Sequence, residues 1–170
     1  MKFNNTNKRD VLIMVDFPNI EKIKEIQNKY YDIADKIGPH IAVTFPFDSD
    51  LSDEELYEKL SKALEKYRPF RITCHGVSTP AGEADYRFLN VIENKEIIKS
   101  MSDDIYKSII PEHLEHRDKY NYDPHISLAN KPLDEEIQLD ETFEMIVDSL
   151  YVERIGSNDE SIKLFDIKLG

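Results

Sequence analysis

Two stretches of this 170-residue chain carry residue types suited to acid–base chemistry: "PHIAVTFPF" at 39–47 and "PHISLAN" at 124–130. Each places a histidine after a proline and before an isoleucine, a small residue and an aliphatic one. An unperturbed imidazole titrates near pH 6.5, so one ring can be neutral while another is protonated near neutrality. The neutral ring takes a proton from water or a hydroxyl, and the protonated ring gives one to a leaving oxygen. Hydroxyls two residues along the chain can donate to non-bridging phosphate oxygens, where charge must be held. This scheme requires no metal and no cofactor. A single His-x-Ser triplet arises easily by chance. The same context repeated half a chain apart is much rarer and marks His40 and His125 as an acid–base pair.

Strand geometry decides which side chains accompany them, because alternate residues point to opposite faces. In the first segment His40, Ala42 and Thr44 share a face, with Ile41, Val43 and Phe45 opposite. In the second, His125, Ser127 and Ala129 share a face, with Ile126 and Leu128 opposite. The aliphatic faces go to a core beneath helices, and the small polar faces line a cleft. Thr44 lies about 13 Å along the strand from His40, against about 6.6 Å for Ala42, so it would touch a neighbouring part of a ligand.

The elements that must position these strands follow from periodicity. "RDVLIMVDFP" reads as a strand closed by Pro18. Ile20, Ile23, Ile26, Tyr30, Ile33 and Ile37 mark an apolar helical face over 19–37, with Asn19 as N-cap and Gly38–Pro39 as the stop. "LSDEELYEKLSKALEKY" is a second amphipathic helix, and Ser52 with Glu55 forms a capping box. "RPFRITCHGVS" and "DYRFLNVIE" are strands, and "NKEIIKSMSDDIYKSII" is a helix stopped near Pro111. "EHLEHRDKYNYD" reads as a polar loop or a frayed extension, "DEEIQLDETFEMI" as a short helix or ordered loop, and 147–170 as a hairpin. After each histidine strand comes an acidic stretch and then a strand reaching a glycine. That parallel reads as a diverged duplication within one bilobal domain spanning 1–170.

Composition narrows the partners. A net charge of −12 would repel a long nucleic acid over most of the surface, so long duplexes are excluded. A small nucleotide, a cyclic phosphate or a short RNA end could still enter a local cleft. "VLIMV" is too short to span a membrane, and "MKFNNTNKRD" lacks a secretion signal's apolar stretch. Cys74 is the only cysteine, which excludes an intrachain disulfide or multi-cysteine zinc site and fits a reducing cytoplasm. The expectation is a cytoplasmic monomer.

Other polar residues carry less. His75 and Tyr122 are candidate ligand contacts, Tyr122 by stacking on a base. His113 and His116 have helical metal-ligand spacing without a third ligand and read as solvated surface. Arg71 and Arg87 read as partners of carboxylates, and Cys74 as core.

On the quoted segments, together with "PFRITCHGV" and "DYRFLNVIENKEIIKSMSDDIY", the chain resembles the 2H phosphoesterase superfamily. That group holds the 2′-5′ RNA ligase-like proteins and cyclic phosphodiesterases. The resemblance implies an α+β bilobal fold: two antiparallel sheets around a central cleft, helices outside, and a pseudo-twofold repeat. It implies metal-independent hydrolysis of cyclic phosphates or of 2′-5′ or cyclic nucleotide phosphodiesters. By position His40 and His125 become the catalytic pair and Ser127 a phosphate-binding hydroxyl. The first motif departs from the pattern, since Ala42 stands where the family carries Thr or Ser. A non-catalytic nucleotide or phosphate binder is therefore an alternative, and an RNA-end ligase or processing factor is a further one.

Overall fold

The computed structural model describes residues 7–170. In chain order the elements are β1 (Lys8–Met14), α1 (Glu21–Tyr30), β2 (His40–Ala42), β3 (Phe47–Asp48), α2 (Asp53–Leu64), β4 (Phe70–Ser78) and β5 (Arg87–Glu93). There follow α3 (Lys95–Ile109), a 3-10 turn (Pro111–His113), α4 (Leu114–Lys119), β6 (His125–Ala129), β7 (Phe143–Val147), β8 (Ser149–Ile155) and β9 (Ser161–Lys168).

The strands form an antiparallel sheet in the order β7-β4-β5-β6-β2-β1-β8-β9, with β3 added against β1. It divides into two halves, β7-β4-β5-β6 and β2-β1-β8-β9, each with its histidine strand innermost. The halves meet where Ile41 of β2 faces Ile126 of β6. β4 and β8, the strands that follow the two histidine segments in the repeat, are each third from this junction. The α+β fold with its twofold repeat matches the expectation, except that the two expected sheets are joined into one by the β2–β6 pairing.

Alternation separates the two faces of the sheet. Val11, Ile13, Ile41, Val43, Leu89, Val91, Ile126 and Leu128 are buried in one cluster with Leu56, Leu60 and Leu64 of α2 and Ile98, Met101 and Ile105 of α3. Burying each such side chain is worth about 1.5–3 kcal/mol before chain entropy is counted. The Ser52–Glu55 capping box forms with both bonds in place, fixing the start of α2.

Two local expectations fail, and a third resolves to its ordered-loop alternative, with Phe143–Ile146 entering β7. The first helix runs only from Glu21 to Tyr30 and is preceded by Ile20 without a side-chain cap. The Asn19 amide instead donates to the Thr142 carbonyl. Tyr31 leaves the helix in an extended conformation (φ −115°, ψ 120°), and 31–37 continue as turns. Residues 131–142 hold neither helix nor strand. Their side chains fasten the segment down, through the bidentate Arg87–Glu136 pair and the Tyr30–Asp134 hydrogen bond. Conversely, the polar stretch after Pro111 is helical. Arg117 explains this: it is buried, donates to Ser102 Oγ at 3.0 Å and pairs with Asp103 at 2.6 Å. No helix of the described residues is long and apolar enough to cross a membrane.

Candidate active site

His40 and His125 each open the innermost strand of their half-sheet, and each is anchored in the same way. The Nδ1 of His40 lies 2.8 Å from the Gly38 carbonyl, and that of His125 lies 2.7 Å from the Asp123 carbonyl. A carbonyl accepts only, so Nδ1 carries the hydrogen and donates, leaving Nε2 to exchange protons. Burial holds the His40 imidazole below its ordinary value, opposed by the Gly38 carbonyl. Burial also lowers His125, opposed by the carbonyl and carboxylate of Asp123 and reinforced by the charge of His40.

The β2–β6 register arranges the rest. With Ile41 facing Ile126, His40 falls opposite Ser127 and Ala42 opposite His125. On β5, Phe88 pairs with Ser127 and Asn90 with His125. On β1, Met14 pairs with His40 and Leu12 with Ala42. Phe88 lies flat on His125, with ring centroids 3.6 Å apart and planes 16° apart.

Tyr31 is the second residue that periodicity did not find. Its hydroxyl and the Ser127 side chain influence each other's electrostatics, and burial pushes the Tyr31 pKa up to about 12. The backbone on both sides is stitched to β6. The Tyr30 carbonyl accepts from the amides of Asn130 and Lys131, and the Asp32 amide donates to Asn130 Oδ1. Gln27 also donates to the Ser127 carbonyl at 2.8 Å. The extended conformation at the end of α1 is what swings Tyr31 over β6.

Thr44 is not where strand parity puts it. β2 ends at Ala42, and the amides of Val43 and Thr44 both donate to the Val11 carbonyl, a bulge that breaks the alternation. The Thr44 hydroxyl then accepts from the Val11 amide at 3.0 Å, and the residue is only 1% exposed. It closes the bulge and is not placed to hold phosphate.

Tyr122 stands next to the site with its hydroxyl committed: it donates to the Ala42 carbonyl at 2.8 Å, and its ring contacts Phe45 and Arg117. It clamps β2. His75 lies in a β-bulge on β4, its Nδ1 3.3 Å from the Glu141 carbonyl, and is not brought to the pair. Arg71 makes a bidentate pair with Glu93, and Arg87 with Glu136. Cys74 is core, its thiol pushed up to about 12 by burial. Among the described residues no group of three or more His, Cys, Asp or Glu is arranged to hold a metal.

Two further features adjoin this face. Asp10 and Glu153 pair across β1 and β8 and are 7% and 5% exposed. Burial raises both, Asp10 well above the usual carboxylate range and reinforced by Glu153. Two facing carboxyls kept from water favour a protonated form over a doubly charged one. A cavity of about 540 Å³ between α3 and α4 has Lys99, Arg117, Tyr122 and Asp123 in its wall. Its wall meets the site at Tyr122 and Asp123, and neither imidazole lines it.

The sequence model of the 2′-5′ RNA ligase superfamily matches residues 15–159. No curated protein matches the chain by sequence. Among solved structures, E. coli LigT complexed with NADP+ is similar at 12% identity and a TM-score of 0.67, over 97% of this chain and 98% of that one. E. coli LigT complexed with 3′-AMP is similar at 11% and 0.66, over 96% and 98%. TT0787 of Thermus thermophilus is similar at 14% and 0.64, over 95% and 97%. At these identities the structural likeness concerns the fold.

Proposed function

The chain belongs to the 2′-5′ RNA ligase superfamily, within the 2H phosphoesterases, and on that premise we propose that it is a metal-independent phosphodiesterase. Its substrate is a cyclic phosphate or a small 2′-5′-linked or cyclic nucleotide, cleaved by His40 and His125 as general acid and base. The observation that carries the reading is the matched anchoring of the two imidazoles on facing strands. Each Nδ1 is committed to a backbone carbonyl two residues back, so each Nε2 is free for proton transfer. Ser127, opposite His40, holds a non-bridging oxygen. One imidazole withdraws a proton from water as its oxygen bonds to phosphorus. The other protonates the oxygen whose bond to phosphorus breaks.

That LigT binds a nucleotide as small as 3′-AMP supports a ligand of this size. The net charge of −12 also favours a small ligand over a long polyanion. The test is turnover of 2′,3′-cyclic nucleotides and short 2′-5′ dinucleotides, followed by phosphorus NMR on chelator-dialysed protein. Hydrolysis by the wild type, lost in His40→Ala and His125→Ala, is expected. A wild type that turns over none of them overturns the reading. Ala42 favours one rival, a nucleotide binder without turnover, which predicts saturable 3′-AMP binding and no product.

A further inference from the structure

We propose that the histidine pair is polarised by its neighbours: Phe88 and Asp123 place the pair's single proton on His125, making His125 the general acid and His40 the general base. This rests on the phosphodiesterase reading and assigns the roles within it.

The anchors cannot distinguish the rings, because both Nδ1 atoms donate to a carbonyl at almost the same distance. What faces each ring does distinguish them. His125 has the face of Phe88 against it at 3.6 Å, nearly parallel. The face of a phenyl ring is the negative end of its quadrupole, so it attracts an imidazolium more than an imidazole. Tyr86 braces the Phe88 ring with an edge contact at 6.3 Å, which fixes the plane offered to His125. The carboxylate of Asp123 adds attraction from the residue whose carbonyl already holds Nδ1.

His40 has none of this. The residues paired with its strand on β1 are Met14 and Leu12, in the places that Asn90 and Phe88 take beside β6. The residue two before it is Gly38, which offers a carbonyl and no charge. His40 is thus the better-insulated ring and the weaker site for a proton.

The other groups facing the pair do not reverse this order. Lys95 lies 3.0 Å and Lys99 3.9 Å from Asp123 Oδ1; they moderate its charge. Asn90, Ser127 and Tyr31 are neutral, and the charge of His40 lowers His125 only as the least of its influences. In the forward step His40 Nε2 takes the proton from the attacking water as the new P–O bond forms. His125 Nε2 gives its proton to the departing oxygen as the old P–O bond breaks. Afterwards His40 holds the proton, and exchange with solvent resets the pair.

The experiment is an NMR pH titration of ¹⁵N-histidine-labelled protein, with the two imidazoles assigned from His40→Ala and His125→Ala spectra. His125 is expected to titrate at the higher pH. Phe88→Leu should lower His125, narrow its separation from His40 and reduce kcat about fivefold. Phe88→Tyr, which keeps an aromatic face, should preserve the wild-type order. Asp123→Asn reads the same ordering should the leucine variant fail to fold, and should also lower His125. A wild type in which His40 titrates above His125 overturns the inference, as does a folded Phe88→Leu with an unchanged titration. The titration needs no turnover, so a protein that hydrolyses nothing would remove the phosphodiesterase reading without deciding the proton order.

Discussion

Ala42 lies opposite His125 across the β2–β6 junction, in the place mirrored by Ser127 opposite His40. In the proposed mechanism the pair would therefore be served by one motif hydroxyl where twofold symmetry would supply two. Ser127→Ala should lower kcat at least tenfold, since an aimed donor to developing oxyanion charge is worth roughly 2.7–4 kcal/mol. Ala42→Thr should raise kcat by only about two- to fivefold, because Tyr122 holds the Ala42 carbonyl and limits how the new side chain can settle. Steady-state kinetics on both variants checks this. Unchanged turnover and phosphate affinity in folded Ser127→Ala would remove the second motif from the phosphate.

Replacing either histidine should abolish nearly all turnover without unfolding the protein. Each general acid or base contributes on the order of 10²–10⁴ in rate. Both rings sit on the polar face of the sheet, so truncation leaves the aliphatic core around Ile41 and Ile126 intact. Circular dichroism should match the wild type, and kcat should fall at least a hundredfold in each variant. A folded variant with near wild-type activity would sink the two-histidine mechanism.

How much of this was legible follows from the range of each interaction. The histidine strands were readable because period-two alternation is local, and the Ser52–Glu55 box because both of its bonds span three residues. Thr44 was misplaced because the bulge that turns it inward depends on the Val11 amide, 33 residues away in sequence. Tyr31 and Phe88 carried no periodic signal. Their roles come from α1 docking on β6 and from the β5–β6 register, which bring them to Ser127 and His125 from distant segments. The apolar spacing of Ile33 and Ile37 suggested more helix than forms, because the ties from Tyr30 and Asp32 to Asn130 stop it. Arg117 shows the opposite case, a charged residue whose burial beside Ser102 and Asp103 orders a helix in a polar stretch.

The lowered histidines also set the pH dependence. The base must be neutral and the acid protonated, and burial moves both below the ordinary imidazole value. The bell of kcat/KM, which reports the free enzyme, should therefore peak on the acid side of about 6.5. Its position should not move after dialysis against a chelator, since the residues proposed to act need no divalent ion. An optimum above pH 8, or activity restored only by a specific metal ion, would contradict the assignment.

The last prediction concerns Asp10 and Glu153, which face each other between β1 and β8. Burial raises both carboxyls, so folding favours their protonated forms. A group whose folded pKa is raised contributes stability that is complete below its unfolded value, here 3.8 for Asp10 and 4.5 for Glu153. That contribution is lost as pH rises through the folded value. Asp10→Asn replaces the titrating carboxyl with an amide whose N–H can donate to Glu153 at every pH. The variant should therefore gain stability at pH 8, on the order of 1 kcal/mol or about 2–4 °C in Tm. The gain should shrink or vanish at pH 4, where the wild-type pair holds its proton without cost. Thermal unfolding of both proteins across pH 4–8 measures it. A variant destabilised equally at both ends would mean that neither carboxyl holds a proton in the folded protein. Lys163, opposite Glu153 on β9, should not replace that proton, because its ammonium is already held by Asp166 at 2.7 Å.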